Sequence, residues 1–180
     1  MNREKLIPIK LLMLDVDGVL TDGSIIYSDS GEEIKVFNAR DGHGLRLLMR
    51  AGIEVVLLTG RESKAVLHRA RDLGIADVYQ KAIDKISTYQ KIVSDKKVED
   101  RQVCFVGDDI VDIPVLRRVG FSAAVSDAVP EVREVVDYIT SKEGGKGAVR
   151  EMCELLLKAQ NRWEQVTEKY MLPRGSSCGT

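Results

Sequence analysis

Short apolar runs alternate with helical segments along most of this sequence, and this alternation limits the fold more than any other feature. The apolar runs occupy 10–15, 54–60, 77–80, 102–108 and 121–127. The segments with helical spacing between them occupy 44–52, 64–74, 85–95 and 112–120. Strands that are apolar at nearly every position are typical of parallel sheets covered on both faces. The sequence therefore predicts an α/β fold: a doubly wound, Rossmann-like parallel sheet with helices on both faces.

The segment 24–38 interrupts this alternation. It reads SIIYSDSGEEIKVFN, with two strand-like stretches around a Ser-Gly turn, and predicts an inserted β-hairpin. A lone hairpin is only marginally stable in water, so its apolar side chains need something to pack against. We expect another subunit to cover them, and a flap that lies on its own domain is the alternative.

Length and charge limit the organisation and the partners. At 180 residues the chain fits one domain, which we place at 1–160, followed by a C-terminal tail at 161–180. The 27 basic and 28 acidic residues give a net charge of −1, so we expect neither nucleic acid nor a membrane as a partner. The three widely spaced cysteines predict no disulfide framework, and the N-terminal residues do not resemble a signal peptide. We therefore expect a cytoplasmic protein.

Polar residues follow the apolar runs at the points where the predicted strands end. They form four groups, which are Asp15-Val16-Asp17-Gly18, Thr59-Gly60-Arg61, Lys85, and Asp108-Asp109 with Asp112. Each group alone is more often a turn or a helix cap. In a doubly wound sheet, however, ligands bind at the carboxyl ends of the strands. The fold brings the four groups to one edge of the sheet and predicts a functional site there.

This set of residues suits phosphoryl transfer through an aspartyl-phosphate. Asp15 can act as the nucleophile, and Asp17, two residues later on the same face, can serve as general acid and then as base. Asp108, from another strand, would complete an all-oxygen site for Mg²⁺. Thr59 would donate a hydrogen bond to a phosphoryl oxygen, and Lys85 would balance the charge of the nucleophile and the phosphate.

The order of these motifs resembles that of the haloacid dehalogenase-like hydrolases. The motifs are DVDGV, LLTGR, the lysine and GDDxxD, and the pattern spans residues 11–112. The chain is also similar to members without a large cap domain that hydrolyse 3-deoxy-D-manno-octulosonate 8-phosphate in lipopolysaccharide biosynthesis. The stretches that carry this likeness are 37–48, 57–63, 106–116 and 144–160. It implies a Mg²⁺-dependent phosphoric monoester hydrolase that acts on this sugar phosphate.

The resemblance also implies a role for each acidic residue of the motifs. Asp15 would be both nucleophile and metal ligand, and Asp17 would be the acid and base and would bind the metal through its carbonyl. Asp108 would be the third ligand. Asp109 and Asp112 would order the waters of the metal or orient the lysine.

The remaining motif residues are implied to bind the substrate. Thr59 and Lys85 would hold the phosphoryl group. Arg61 would face the carboxylate or hydroxyls of the sugar acid, because a guanidinium suits bidentate binding. Further candidate contacts are Gly18, Gly60, Arg40 and Lys64.

The resemblance implies a homotetramer in which the hairpins meet and a neighbouring subunit helps to close the active site. It also makes the C-terminal tail a possible lid, whereas composition alone predicts a frayed end. The loop Gly144-Gly145-Lys146-Gly147 has two interpretations that the sequence leaves open. It either presents backbone N–H groups and a lysine to an anion or serves as a plain connection.

Three alternatives stand beside this interpretation. The first is a phosphatase for a related nine-carbon sugar-acid phosphate. The resemblance implies a glutamate after Thr-Gly in that group, so Arg61 at this position favours the eight-carbon acid. The second is a receiver-type signalling domain, but there the acidic pair and the phosphorylated aspartate follow the first and third strands. The third is a scaffold that has lost activity, although every position that the chemistry requires is filled.

Overall fold

The computed structural model describes residues 3–171, and it confirms the predicted fold class. The strands are β1 (Leu11–Leu14), β2 (Ile26–Tyr27), β3 (Glu33–Ile34), β4 (Glu54–Leu58), β5 (Asp77–Tyr79), β6 (Val103–Gly107), β7 (Phe121–Ala124) and β8 (Tyr138–Ile139). Six of them form one sheet in the order β5-β4-β1-β6-β7-β8. Every neighbouring pair in this sheet is parallel, and β1 is central.

Helices cover both faces of the sheet. They are α1 (Ala39–Arg50), α2 (Lys64–Leu73), α3 (Lys85–Lys96), α4 (Ile113–Leu116), α5 (Pro130–Arg133), α6 (Ala148–Ala159) and α7 (Trp163–Thr167). The chain moves outward from β1 through β4 to β5 and then returns to β6 on the other side. Right-handed crossovers therefore place α1 and α2 on one face and α3 on the other. α1 packs against α2, α6 and α7, while α3 packs against α4.

The central strand β1 is buried at all four positions, as its unbroken apolar sequence predicts. Leu14 pairs in register with Leu57 of β4 and with Val106 of β6. The chain segments that follow these three strands therefore leave the sheet side by side. This register positions the candidate site.

Helix α1 begins five residues before the predicted segment 44–52. The Asn38 side chain caps it by accepting hydrogen bonds from two backbone N–H groups of the first turn. Glycines inside the helix weaken the sequence signal for it. Gly44 nevertheless suits its place, because a Cβ atom there would lie 3.2 Å from Cα of Arg150 in α6. Close packing of the two helices compensates for the weak local propensity.

Helix α4 is shorter than the predicted helix 112–120. A 3₁₀ turn, Ile110–Asp112, precedes it, and the helix itself ends at Leu116. Gly120 then donates its N–H to the Asp100 carbonyl at 2.7 Å and lies against Arg101, where a Cβ atom would approach the backbone to 2.5 Å. This contact directs the chain into β7 and prevents a longer helix.

The predicted hairpin is present as an antiparallel pair of very short strands, β2 and β3. Its apolar side chains are exposed in the single chain; they are Ile25, Ile26, Tyr27, Ile34 and Val36. Near the other end of the chain, the predicted tail 161–180 contains helix α7, in which Val166 and Thr167 are buried. The rest of that tail, 172–180, lies outside the described residues, and so does the expectation of a lid or a frayed end there.

Candidate active site

The four groups of polar residues lie at the carboxyl edge of the sheet. Asp15 follows β1 and donates its backbone N–H to the Val106 carbonyl at 3.0 Å, which extends the sheet pairing by one residue. Thr59 follows β4, and Asp108 follows β6. Lys85 is the first residue of α3, whose preceding residue Asp84 caps the helix.

Three carboxylates and a buried lysine form the centre of the site. Asp15, Asp108 and Asp112 each offer an oxygen, and these oxygens all lie within 4.8 Å of one another. Lys85 Nζ lies 2.6 Å from Asp112 Oδ1 and 3.0 Å from Asp15 Oδ1. Asp112 is fully buried, and its other oxygen accepts the backbone N–H of Asp108 at 3.0 Å. Both oxygens of Asp112 are therefore engaged within the protein.

The charges of this cluster are only partly balanced, and the pKa values reflect it. Burial and the charge of Asp112 raise the pKa of Asp15 to about 6, although Lys85 acts in the opposite direction. Burial and the charges of Asp15 and Asp112 raise the pKa of Asp108 to about 8. Burial would lower the pKa of Lys85, but the two carboxylates outweigh it and raise that pKa. One ammonium group is thus not enough to keep all three carboxyl groups ionised at neutral pH.

The arrangement fits a divalent cation. Asp108 Oδ1 is buried and has no hydrogen-bond partner among the described residues, which costs free energy unless a ligand binds there. Hard divalent cations prefer carboxylate and carbonyl oxygens. Gly18 leaves room beside this group, because a Cβ atom at Gly18 would lie 2.0 Å from Asp108 Oδ2. Gly18 also has a φ of +87°, a conformation that glycine adopts without strain.

Asp17 faces the hairpin rather than the other carboxylates. Its Oδ1 forms an ion pair with Lys35 Nζ, and its Oδ2 lies 3.9 Å from Arg61 Nε. Only 1% of the Lys35 side chain is exposed. The hairpin of the same chain therefore reaches its own candidate site.

The segment after β4 holds the predicted phosphate-binding and sugar-binding groups. Thr59 is buried, and its hydroxyl accepts the backbone N–H of Arg61 at 3.2 Å. Arg61 Nη2 donates to the hydroxyl of Tyr27 at 3.1 Å and to Glu33 Oε1 at 2.9 Å. There is free space beside Gly60, because the nearest atom to a Cβ placed there would be the Ala82 carbonyl oxygen at 3.9 Å.

Within the described residues, three predicted side chains make no hydrogen bond or ion pair with the carboxylates of the cluster, although the backbone N–H of Asp109 donates to Asp112 Oδ2 at 3.4 Å. Asp109 is exposed, and its carboxylate caps the following 3₁₀ turn by accepting the N–H of Ile110 at 2.7 Å. Arg40 and Lys64 are exposed in the first turns of α1 and α2. Within residues 3–171, neither of these two side chains makes a hydrogen bond or ion pair with the carboxylate cluster.

Sequence reasoning missed the polar residues of the hairpin. Tyr27, Glu33 and Lys35 surround Arg61 and Asp17. Their signal is the alternation in EEIKVF, where Glu33 and Lys35 fall on one face of a strand and Ile34 and Val36 fall on the other. Because the apolar face of a hairpin usually packs inward, the pattern predicts that Ile34 and Val36 face the domain, whereas in the structure Glu33 and Lys35 do.

The loop 144–147 is a connection that packs on the segment after β1, so its interpretation as an anion-binding loop is wrong. Its four backbone N–H groups are already engaged: their acceptors are Asp127 Oδ1, Val19 O, Glu143 O and Asp41 Oδ2. Lys146 pairs with Glu143 at 2.6 Å. Gly144 lies so close to the Gly18 carbonyl that a Cβ atom would be 1.7 Å from it. The loop therefore supports the segment that carries Asp15 and Asp17.

Comparison with known proteins identifies relatives across most of the chain. A family profile described as haloacid dehalogenase-like hydrolase matches residues 71–152. The 3-deoxy-D-manno-octulosonate 8-phosphate phosphatase of Yersinia pestis is 45% identical over 88% of this chain and 85% of its own length.

The chain belongs to the haloacid dehalogenase-like hydrolases.

Two solved structures extend this result to the fold. The phosphatase of the same name from Moraxella catarrhalis, in complex with magnesium, phosphate and KDO, superposes with a TM-score of 0.91 at 41% identity and covers 93% of this chain and 97% of its own. The cobalt-bound enzyme from Haemophilus influenzae has a TM-score of 0.87 at 40% identity and covers 94% and 99%. Both relatives hold a divalent metal. Membership of this family also excludes the alternative of a receiver-type signalling domain.

None of the helices described in 3–171 has the length and apolar character to cross a membrane.

Proposed function

We propose that this haloacid dehalogenase-like hydrolase is a Mg²⁺-dependent phosphatase that uses Asp15 as its nucleophile. The observation that carries the proposal is the cluster of Asp15, Asp108 and Asp112 around the buried Lys85. Three carboxylates within 4.8 Å of one another are unfavourable unless cations compensate them. A phosphatase needs such a site to bring a carboxylate nucleophile against an anionic phosphate.

The hydrogen bonds of the cluster support one assignment of the metal ligands. Asp112 uses one oxygen for Lys85 and the other for a backbone N–H, so its role is to orient the lysine. Asp108 Oδ1 has no such partner among the described residues. Asp108 and Asp15 would therefore hold Mg²⁺ through their carboxylates, with the carbonyl of Asp17. When bound, the metal would neutralise charge between these carboxylates and the substrate phosphate.

The reaction then proceeds in two displacements at phosphorus. Asp15 Oδ1 is held by the Val16 N–H at 2.7 Å and by Lys85, so Oδ2 is the oxygen that attacks. The bond between phosphorus and the sugar oxygen breaks as Asp17 donates a proton to that oxygen, a step for which the Asp17 carboxyl must leave its ion pair with Lys35 and be protonated. Asp17 next takes a proton from a water molecule, which attacks phosphorus and releases Asp15. Lys85 and the hydroxyl of Thr59 stabilise the charge on the phosphoryl oxygens.

The substrate that we propose is 3-deoxy-D-manno-octulosonate 8-phosphate. The relatives with 40–45% identity act on this compound by name, and one was solved with KDO and phosphate. Arg61 directly follows Thr59-Gly60, and its Nε lies 3.9 Å from Asp17 Oδ2, which supports a contact between its guanidinium and the sugar acid. A guanidinium forms charge-assisted hydrogen bonds with a carboxylate.

Assembly and location complete the proposal. The exposed apolar face of the hairpin supports a homotetramer in which the hairpins meet. Light scattering that finds a monomer at micromolar concentration would contradict this assembly.

The location that we propose is the cytoplasm. The buried Cys104 and Cys153 are free thiols, which fits a reducing compartment.

A phosphate-release assay tests the function. The wild-type protein with Mg²⁺ is given 3-deoxy-D-manno-octulosonate 8-phosphate, a nine-carbon sugar-acid 9-phosphate and several neutral sugar phosphates. We expect the highest kcat/KM on the eight-carbon substrate, and loss of turnover in Asp15→Asn and Asp17→Asn. Asp95→Asn is the matched control, since Asp95 is exposed on α3. Turnover that survives Asp15→Asn would exclude the covalent mechanism, and a preference for the nine-carbon substrate would exclude the proposed substrate.

A further inference from the structure

Tyr27, Glu33 and Lys35 connect the hairpin to the mouth of the candidate site. Glu33 and Lys35 point inward, whereas Ile34 and Val36 are exposed on the other face. Glu33 Oε1 lies 2.9 Å from Arg61 Nη2 and 3.4 Å from Lys35 Nζ. Lys35 in turn pairs with Asp17. The hairpin is therefore joined to the site by polar contacts of specific geometry as well as by chain connectivity.

One nitrogen of the Arg61 guanidinium is hydrogen-bonded to the hairpin, and the other two have no hydrogen-bond partner among the described residues. Nη2 is occupied by Tyr27 and Glu33. Nε is buried and has no hydrogen-bond partner among the described residues. A guanidinium can donate five hydrogen bonds in one plane. Nη1 also has no hydrogen-bond partner among the described residues, so it is the nitrogen that the hairpin leaves oriented and available to donate to a carboxylate oxygen of a ligand.

The charge of Glu33 persists under working conditions. Burial acts to raise the pKa of Glu33, but the Ser63 hydroxyl, Arg61 and Lys35 together outweigh it, and the pKa lies below its usual value. Glu33 is therefore ionised at neutral pH and attracts Arg61 continuously. The four charges of Asp17, Glu33, Lys35 and Arg61 sum to zero, so an entering carboxylate meets no net repulsion from them.

Orientation of Arg61 matters because its side chain is otherwise free. About 41% of that side chain is exposed, and an arginine loses much rotamer entropy when a ligand orders it. Glu33 and Tyr27 restrict the side chain before the substrate arrives. Because less rotamer entropy is then lost on binding, the ligand that Arg61 recognises binds more tightly.

We propose that Glu33 and Tyr27 are positioning residues that hold Arg61 for the carboxylate of the sugar acid, so that the hairpin of the same chain determines preference for carboxylated substrates. This inference rests on the proposed function. It assigns to the hairpin a role in selection that is separate from assembly.

Kinetics on two substrates test the inference. The variants are Glu33→Gln, Tyr27→Phe and Arg61→Ala, and Glu32→Gln serves as the control because Glu32 is an exposed carboxylate of the same hairpin. The substrates are 3-deoxy-D-manno-octulosonate 8-phosphate and 4-nitrophenyl phosphate, which lacks a carboxylate. On the sugar acid we expect Glu33→Gln to raise KM roughly 5- to 50-fold and Tyr27→Phe to raise it less, with kcat nearly unchanged.

The second substrate and a double variant separate positioning from a general structural effect. On 4-nitrophenyl phosphate, both hairpin variants should stay within about twofold of wild type, which also shows that they fold. In the Arg61→Ala background, Glu33→Gln should have no further effect on KM. Equal losses on both substrates, or a Glu33→Gln effect that persists without Arg61, would overturn the inference. Wild-type protein with no preference for the sugar acid would instead overturn the proposed substrate, and with it the basis of the inference.

Discussion

Lys85 donates a 2.6 Å hydrogen bond to Asp112, and 4% or less of either side chain is exposed. Breaking a buried ion pair leaves one charge uncompensated, which typically costs about 3–5 kcal/mol. In Asp112→Asn, the amide group would face either Lys85 or the Asp108 N–H, both of which are donors. We expect unfolding in urea to show a loss of about 3 kcal/mol and phosphate release to fall on the order of 100-fold. Asp95→Asn should match wild type, and an Asp112→Asn protein with full stability would refute this role for the pair.

The carboxylates of the cluster should make the metal-free protein less stable as the pH rises. The pKa of Asp15 is raised to about 6 and that of Asp108 to about 8, so the folded state holds protons more tightly than the unfolded state does. As far as these two groups determine it, stability is highest below about pH 4, where the folded and the unfolded state both hold the protons, and it falls as the pH rises from there to about 8. Differential scanning calorimetry with EDTA at pH 5 and pH 8 checks this expectation.

The excess negative charge of the cluster predicts that Asp108→Asn raises the stability of the metal-free protein and abolishes metal binding. Asp108→Asn removes a carboxylate whose ionisation is unfavourable, so its Tm with EDTA at pH 8 should exceed that of wild type by roughly 4 °C or more. Wild-type Tm should rise when Mg²⁺ is added, whereas Asp108→Asn should show no such rise. A Mg²⁺-induced shift that survives the substitution would argue against Asp108 as a ligand.

Gly18→Ala should abolish activity through contact rather than through backbone strain. Gly18 and Gly74 have φ values of +87° and +81°, so alanine at either position is strained by about 1 kcal/mol. A Cβ at Gly18 would collide with Asp108 Oδ2 at 2.0 Å, but nothing lies within 4 Å of a Cβ at Gly74. We expect both variants to lose similar stability in urea and only Gly18→Ala to lose phosphate release, by about 100-fold or more. Equal activities would show that the segment after β1 relaxes around the methyl group.

Asp137 should stabilise the protein at neutral pH but not in acid. It accepts hydrogen bonds from Lys5 at 2.6 Å and from the Ser122 N–H at 3.1 Å. Burial acts to raise the pKa of Asp137, but these partners outweigh it and lower that pKa. A lowered pKa gives stability above the unfolded value that disappears as the pH falls through the folded value. Asp137→Asn should therefore cost roughly 1–2 kcal/mol at pH 7 and progressively less below about pH 4.

Matched measurements separate the two partners of Asp137. Lys5→Met should reproduce part of the loss in urea at pH 7, because the Ser122 N–H remains bonded to the carboxylate. The same difference between Asp137→Asn and wild type at pH 7 and pH 3 would contradict the contribution of ionised Asp137.

The fold was predictable because its signals are local. Five of the six strands of the sheet lie in predicted apolar runs, and β1 is buried at every position just as LLML suggests. The sixth, the two-residue edge strand β8, was not predicted, because it is too short to form a recognisable run. Helix α1 was predicted too short because glycines lie in its first half, where contact with a distant helix compensates for their weak helix propensity. Asn38 caps it, and Gly44 within it is favoured by contact with Arg150 of α6. No local pattern contains that contact, since the two residues are 106 positions apart.

The sequence by itself determined that the motifs at 15–18, 59–61, 85 and 108–112 meet at one edge of a parallel sheet. This follows because side chains at the ends of parallel strands converge wherever the fold is doubly wound. Only the tertiary structure decided how the charges are distributed. Asp112 is fully occupied by Lys85 and a backbone N–H, Asp108 keeps an oxygen without a partner, and Asp17 turns toward Lys35. Those assignments depend on distances of 2.6–4.8 Å between residues far apart in the chain, and such distances are set by packing.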